Sequence, residues 1–283
     1  MRTIKFQPRW GVLLAALTIV SFPTYAVDGI VLINQSSALA GNVTPGDSPG
    51  FPVTISVAGS YRLSGNLTAP DANTTAISIT ADNVILDLNG FSIIGPTLCG
   101  GPPISCSPTG SGIGITTASS RLTILNGNIH GMGAAGIQLF GAFYQIEKIH
   151  ASSNGGTGIS AGLANIYSSM AEFNGSDGIS ASSGEIRNSV SVENAGNGFV
   201  LTTQGIAVDN QADHNGASGI LGPELPFGKG SIFRGNTLTF NGSAGVSASC
   251  PSLIAGNSAF GNTGGNVVTA GSGCVLTGNN PAL

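Results

Sequence analysis

Charged and aromatic residues are scarce in this chain of 283 residues. Only 8% of the residues are Asp, Glu, Lys or Arg, 6% are aromatic, and there are three histidines and one tryptophan. Beyond residue 26, six basic residues stand against thirteen acidic ones, which gives a net charge of −7. Because nucleic-acid binding draws its affinity from clustered Lys and Arg, we expect no nucleic-acid partner.

Long apolar runs are missing outside the N-terminus. There, three basic residues precede an apolar stretch over residues 11–22, and Ala26 ends a small-residue pattern of the kind that signal peptidases cleave. The stretch is too short for a comfortable membrane span. The sequence therefore predicts a signal peptide over residues 1–26, export to the periplasm or the exterior, and no membrane span after cleavage.

What the chain has instead is a repeat. Six near-identical N-G-x-x-G-I phrases, each beginning at an asparagine, recur at a period of about 20 residues, with one longer step between the fourth and the fifth. This period is too short for a pair of helices and fits one coil of a solenoid. The asparagines are Asn154, Asn174, Asn194, Asn215, Asn241 and Asn262.

Each coil contains short β-branched runs separated by Gly, Ser and Asn, which is typical of brief strands joined by tight turns. Equivalent residues of successive coils should then stack about 4.8 Å apart. The pattern predicts an all-β, single-chain parallel β-helix with about 20–22 residues per coil. We expect the asparagines to take a left-handed backbone at a bend and to form a buried structural ladder through their amides.

Four cysteines occur in a chain expected to be exported, so disulfides are the default. Cys250 and Cys274 are separated by about one coil with a small insertion, and stacked neighbours lie within the reach of a disulfide. Cys99 and Cys106 would then close a Gly- and Pro-rich loop. Metal binding is the alternative, but no C-x-x-C pair or neighbouring histidine supports it, and we predict neither a metal nor a cofactor.

Two earlier segments, together with the coils, resemble a known family. The phrase G-S-Y-x-L-x-G-N-L over residues 59–67, the strand V-x-L-D-L-N-G over residues 84–90 and the later N-G-x-x-G-I coils are similar to secreted bacterial right-handed parallel β-helix repeat proteins of the pectin-lyase-like superfamily. The resemblance implies right-handed coils from residue 59 to 283. We interpret residues 27–58 as an N-terminal cap that covers the first coil.

The superfamily contains polysaccharide lyases, glycoside hydrolases, esterases and epimerases beside surface proteins with no demonstrated activity, so the resemblance does not choose a function. The acidic residues of this chain are scattered, so the sequence shows no group of carboxylates that could hold the calcium ion of a pectate-lyase-type site. It also contains no D-D pair that could flank the scissile bond in a polygalacturonase-type hydrolase. No catalytic motif of the superfamily is found. His214, which precedes Asn215 in a turn, is expected to be solvated.

Counting one period along the chain does bring candidate groups together. Glu147, Tyr167 and Arg187 stand one period apart, each directly after an inward Ile, so they should point outward as one column. Lys148 adjoins Glu147, and His130 and His150 are also one period apart. In a carbohydrate site, Arg187 or Lys148 would bind an acidic sugar, Tyr167 would stack or shuttle a proton, and Glu147 or His150 would act as base.

The alternative for this column is ordinary cross-strand pairing on a solvated surface. Three functions therefore stay open: a non-catalytic protein that binds polysaccharide or another cell-surface component along one face, a polysaccharide lyase or related glycan enzyme, and a structural or adhesive surface protein. The oligomeric state is also left open.

Overall fold

The computed structural model describes residues 29–223 and 230–279. The predicted signal peptide therefore lies outside the described residues. Among them, the one helix is α1, Gln35–Ala40. The strands are β1 Val31–Ile33, β2 Val53–Ile55, β3 Gly59–Leu63, β4 Leu67–Thr68, β5 Ile77–Ile79, β6 Val84–Asp87, β7 Ser92–Ile94, β8 Leu98–Gly100, β9 Ser105–Ser107, β10 Ile115–Thr117, β11 Leu122–His130, β12 Ile137–Ser152, β13 Ile159–Tyr167, β14 Met170–Glu172, β15 Ile179–Arg187, β16 Val190–Val192, β17 Phe199–Leu201, β18 Gly205–Val208, β19 Gln211–Asp213, β20 Ile220–Leu221, β21 Ile232–Arg234, β22 Thr237–Thr239, β23 Ala244–Ser249, β24 Leu253–Ala255, β25 Ser258–Phe260, β26 Gly265–Ala270 and β27 Val275–Thr277.

The strands form a right-handed parallel β-helix of about ten coils, as the sequence predicted. Each regular coil contributes to three parallel sheets. Sheet 1 runs from β2 through β5 and β10 to β26, sheet 2 from β1 through β3 and β6 to β27, and sheet 3 from β4 through β7 to β25. The long strands β11, β12, β13 and β15 bend at the corners and take part in two or three of the sheets.

The register confirms the predicted period. Ile146 pairs with Ile166, and Ile166 with Ile186, so that identical side chains stack on consecutive coils. All three are completely buried. Because each inward residue packs against its equivalents one coil away, the core extends along the whole axis and grows with the number of coils.

The predicted asparagine ladder is present at the corner from sheet 3 to sheet 1. The Asn154 side chain donates to Asn174 Oδ1 (3.0 Å), and the Asn174 side chain donates to Asn194 Oδ1 (2.8 Å). The ladder continues through Asn215 and Asn241 to Asn262 at distances of 2.9–3.0 Å. Each amide also donates to a backbone carbonyl of the preceding coil, as Asn174 does to Ala151 (3.0 Å).

The conformational reason given for these asparagines was wrong. The left-handed residue is the one before each asparagine, as at Phe173 (φ 52°), Glu193 (φ 51°) and His214 (φ 52°). The asparagine instead faces inward, where its amide forms hydrogen bonds with backbone groups that have no strand partner at the corner. The left-handed position points outward, and its occupants in the six coils are Ser153, Phe173, Glu193, His214, Phe240 and Gly261.

A second ladder, at the corner from sheet 2 to sheet 3, was not predicted. Asn210 donates to Asn236 Oδ1 (3.0 Å), Asn236 to Asn257 (2.8 Å) and Asn257 to Asn279 (3.0 Å). Serines occupy the same position in earlier coils, where Ser169 and Ser189 accept backbone N–H bonds. Three of these asparagines follow a glycine with positive φ, so a G-N dipeptide recurring near the period was the available signal.

Both predicted disulfides are formed. Cys250 and Cys274 lie on neighbouring coils with a Cα–Cα distance of 4.8 Å. Cys99 and Cys106 join strands β8 and β9, an antiparallel hairpin inserted between β7 and β10. This insertion explains why the coil from Val84 to Leu122 is longer than the period.

At the N-terminal end, α1 is capped by Asn34, which directly precedes it, and lies beside β4. Strands β1 and β2 already pair with strands of the solenoid, Val31 with Tyr61 and Val53 with Ile77. The boundary between a cap and the β-helix at residue 58 stays a prediction. Within the described residues, no helix has the length and the apolar character needed to cross a bilayer.

Candidate functional site

The residues of the predicted column lie side by side on sheet 2. Glu147 pairs in register with Tyr167, and Tyr167 with Arg187, and all three side chains are partly exposed. A parallel outward row, two positions earlier on the same strands, contains Gln145, Asn165 and Glu185. We call these six residues the polar face.

Glu185, which the sequence analysis did not single out, holds the polar face together. Its carboxylate accepts from Arg187 Nε (2.8 Å) and from the Tyr167 hydroxyl (3.2 Å). Arg187 also approaches Asp209 (4.0 Å), but it forms no ion pair with Glu147. Because alternate residues of a strand share a face, the sequence E-I-R at 185–187 was a signal for this pair.

These contacts set the protonation of the face. Burial raises the pKa of Tyr167, and the negative charge of Glu185 and its hydrogen bond raise it further. The hydrogen bond from Arg187 to Glu185, and the charge of Glu185, raise the pKa of Arg187. Tyr167 is therefore a neutral phenol at physiological pH and acts as a hydrogen-bond donor, not as a base.

The other predicted site residues flank this face. Lys148, in a left-handed bend with φ 54°, forms an ion pair with Glu147 (2.9 Å). His150 lies round the corner on sheet 3, where its Nε2 contacts Glu172 Oε1 at 2.9 Å. Glu172 is not in register with His150, which pairs with Met170, so counting one period does not reveal this contact.

His130 and His150 are not stacked, although they are one period apart in the sequence. The coil between them is longer than the period, so His130 pairs with Ser152, and His150 with Asn128. The histidines are close enough to interact electrically: burial lowers the pKa of His130, and His150 lowers it further.

Cations on the described surface are mostly neutralised. Of the five Lys and Arg residues within residues 29–223 and 230–279, four are paired with carboxylates: Arg62 with Asp87, Arg121 with Asp82, Lys148 with Glu147, and Arg187 with Glu185. An acidic sugar would have to compete with these carboxylates for its cation. The polar face therefore offers amide, carboxylate and phenol hydrogen bonds, which suit hydroxyl groups better than they suit anions.

A second site, which the sequence analysis missed, lies at the opposite corner. The β8–β9 hairpin folds back along the outside of the solenoid over the corner from sheet 3 to sheet 1. Both sulfur atoms of its disulfide approach the carbonyl oxygen of Asn154, at 3.5 and 3.7 Å. A Cβ on Gly175 would be 2.9 Å from Cys106 Sγ, so the absence of a side chain there lets the hairpin lie close to the corner.

Beyond the disulfide, the hairpin tip roofs a cavity of about 550 Å³. We call this cavity the hairpin cleft. Its roof is Gly101–Ile104, and its floor contains Phe173, Glu193 and His214, the outward left-handed residues of three successive coils. His214 Nδ1 contacts Asp213 Oδ2 at 3.0 Å. The contact that brings residues 101–104 to residues 173–214 has no periodic signature in the sequence.

Outside the cleft, the same corner continues as a row of aromatic rings. His214 stacks on Phe240 with ring centroids 5.1 Å apart, and Phe240 meets Phe260 edge to face at 5.4 Å. Phe240 is 49% exposed and Phe260 is 50% exposed. The His214 side chain is 55% exposed, in line with the expectation of a solvated residue, and it also contacts Asp213 and Phe240.

In the two described ranges, no three His, Cys, Asp or Glu side chains come together as a possible metal site.

Comparisons with known proteins support the fold. No family model matches the chain, and no curated protein sequence matches it. Among solved structures, the chain is similar to the A-module of the mannuronan C-5 epimerase AlgE4 of Azotobacter vinelandii, with 14% identity over 73% of this chain and 62% of that chain and a TM-score of 0.50. It is also similar to the pectate lyase Pel9A, with 16% identity over 79% of this chain and 72% of that chain and a TM-score of 0.52.

The chain thus spans less than two thirds of the epimerase module. At this level of identity the likeness concerns the fold alone, which is a right-handed parallel β-helix.

Proposed function

We propose that this chain is an exported protein that binds a polysaccharide along the polar face without cleaving or modifying it. The observation that carries the proposal is the register of the face: three consecutive coils present paired outward polar residues, with Tyr167 on the middle coil hydrogen-bonded to Glu185 on the next. The rows repeat at the strand spacing of about 4.8 Å, so that an extended polymer can meet equivalent groups on several coils.

The chemistry of the face favours binding over catalysis. A general base needs a pKa close to the working pH, whereas the pKa of Tyr167 is raised above its ordinary value of 10.0. Arg187 and Lys148 are held by Glu185 and Glu147, so neither offers an unpaired charge to a uronate. A neutral or weakly charged polysaccharide fits these groups best.

A glycan array, read in parallel with an assay for unsaturated uronate products, tests this proposal. We expect saturable binding of at least one polysaccharide and no product. Replacing Tyr167 by Ala should weaken that binding at least tenfold, because it removes the phenol and leaves Glu185 with one donor fewer. Thr237→Ala, an exposed substitution on sheet 3, is the matched control. Unchanged binding by the Tyr167 variant would exclude this face.

Catalysis is the second candidate, favoured by the partly exposed pair of His150 and Glu172. Formation of product in the same assay, lost in a His150→Gln variant, would replace the binding proposal by this one. Neither binding nor turnover on any glycan would favour a structural or adhesive role.

We also propose export, which the two disulfides support because such bonds persist in oxidising compartments. N-terminal sequencing of protein from the periplasm or medium should give Val27 as the first residue. An intact N-terminus in the cytoplasmic fraction would contradict it.

A further inference from the structure

Glu193 differs from the other acidic residues of the structure. Within residues 29–223 and 230–279, every other Asp or Glu side chain forms a hydrogen bond or an ion pair with another described residue. The Glu193 carboxylate has no such partner among those residues. It is partly buried, and it lines the hairpin cleft beside His214.

A partly buried carboxylate without a donor loses hydration and gains nothing from the protein in exchange. In a cleft, such a carboxylate is available to accept hydrogen bonds from a ligand. The groups around it indicate what kind of ligand this is. Pro102, Pro103, Ile104 and Phe173 form apolar surfaces, while Glu193 and the pair of His214 and Asp213 supply the polar edge.

A ligand that satisfies both surfaces has one apolar face and an edge of hydrogen-bond donors. A pyranose ring has this form, because its C–H groups lie on the ring faces and its hydroxyl groups lie at the edge. The ring of Phe173 can pack against such a face, and a carboxylate accepts hydrogen bonds from hydroxyl or ammonium groups. No Lys or Arg of the described residues lines the cleft, so that the carboxylate of Glu193 repels an anionic sugar.

The aromatic row gives the direction of the rest of the ligand. Phe240 and Phe260 continue the floor of the cleft outward from His214, and both are half exposed without a function in the core. A glycan whose terminal ring lies under the hairpin can therefore place its next rings on these two phenylalanines. The hairpin covers the cleft from one side, so that a ring bound there is enclosed, whereas rings on Phe240 and Phe260 stay open to solvent.

We propose that the hairpin cleft is a second carbohydrate site, which captures the terminal ring of a neutral or amino-sugar oligosaccharide and extends along Phe240 and Phe260. It is separate from the polar face, which binds along the length of a polymer. The Cys99–Cys106 disulfide is part of the site because it holds the roof against the corner at Asn154.

Calorimetric titration of the purified chain with neutral, amino-sugar and uronate oligosaccharides, each from one to six rings, tests this inference. We expect neutral or amino-sugar oligomers to bind and uronates not to bind. Glu193→Gln should weaken binding at least tenfold at every length, because it replaces a charged acceptor by an amide. The matched control is Asp82→Asn, the same exchange of an acid for its amide. Asp82 is exposed, pairs with Arg121 and lies away from the cleft.

The aromatic row has its own readout. Phe240→Ala should leave the affinity for a monosaccharide unchanged and should abolish the gain in affinity with longer oligomers. A Cys99→Ser, Cys106→Ser double variant should lose binding while its circular dichroism and thermal transition stay close to those of the parent, because the hairpin lies outside the coils.

Equal affinity of the parent and Glu193→Gln would overturn the inference, as would uronates that bind as well as neutral oligomers or a parent that binds no oligosaccharide. The polar face is judged separately. Tyr167→Ala should lower retention of the polymer and leave oligosaccharide binding in the cleft intact, so that either site can fail without the other.

Discussion

Removing one rung of the asparagine ladder tests the physical account of this fold most directly. Asn174 is completely buried and takes part in four hydrogen bonds through its side chain. Its Oδ1 accepts from the backbone N–H (3.1 Å) and the side chain (3.0 Å) of Asn154, and its Nδ2 donates to Ala151 O (3.0 Å) and Asn194 Oδ1 (2.8 Å).

An Asn174→Ala substitution removes all four bonds at once. The Asn154 N–H then has no acceptor in a buried corner, at a cost of about 1–3 kcal/mol, and the other three groups each lose one bond worth about 1 kcal/mol. Some of these groups keep a second partner, as the Asn154 amide does in Ile129 O (3.3 Å). We therefore expect a loss of about 3–5 kcal/mol in the free energy of unfolding.

Urea denaturation followed by circular dichroism, with both disulfides intact, measures this loss. The control is Asn165→Ala, which truncates an exposed asparagine of the same coil and should change the free energy by less than about 0.5 kcal/mol. A loss below about 1 kcal/mol in Asn174→Ala would refute the view that the ladder stabilises the corner through buried hydrogen bonds. Coincident transitions in the two variants would lead to the same conclusion.

Three further predictions follow from particular contacts. Replacing Cys250 and Cys274 by Ser opens the loop between two neighbouring coils and should lower the free energy of unfolding by ~3.5 kcal/mol in urea titrations, and an unchanged midpoint would contradict it. Tyr167 should titrate above pH 10.0 in phenolate absorbance; because its folded-state pKa is raised, its contribution to stability is complete below pH 10.0 and is lost as the pH rises through the folded pKa. A free energy of unfolding that stays constant through that range would contradict the contact with Glu185. Gly178→Ala should cost about 1–3 kcal/mol, because a Cβ there would clash with Ser191 Oγ and lie 2.8 Å from Asn194 Nδ2. The control is Gly100→Ala, whose Cβ would meet nothing within 4 Å and which should leave the free energy of unfolding in urea unchanged.

The parts of the fold that repeat could be predicted from the sequence. The period placed Ile146, Ile166 and Ile186 in one buried column and brought Cys250 next to Cys274, because a residue in a solenoid meets its equivalent one coil later. Where the coil length changes, the same counting fails: the two histidines on β11 and β12 are one period apart in sequence but not in register.

The candidate site was predictable only in part. The column of Glu147, Tyr167 and Arg187 is in register as expected, but its charges are arranged by Glu185, two positions along the same strand. The ladder asparagines were identified, whereas the left-handed backbone was assigned to the wrong residue. Because of this error, the outward left-handed positions were not recognised. Three of them, one being Glu193, form the floor of the hairpin cleft.

The sequence by itself determined the stacking direction, the inward columns, the first ladder and the pairing of Cys250 with Cys274, because each depends on contacts about one coil apart along the chain. Only the tertiary structure decided where the β8–β9 hairpin lies. The hairpin interrupts the period and packs against coils that come much later in the chain, and such a contact depends on the shapes of two surfaces that exist only after the coils have formed. The unpartnered carboxylate of Glu193 became visible for the same reason: its surroundings are made by residues from distant parts of the sequence.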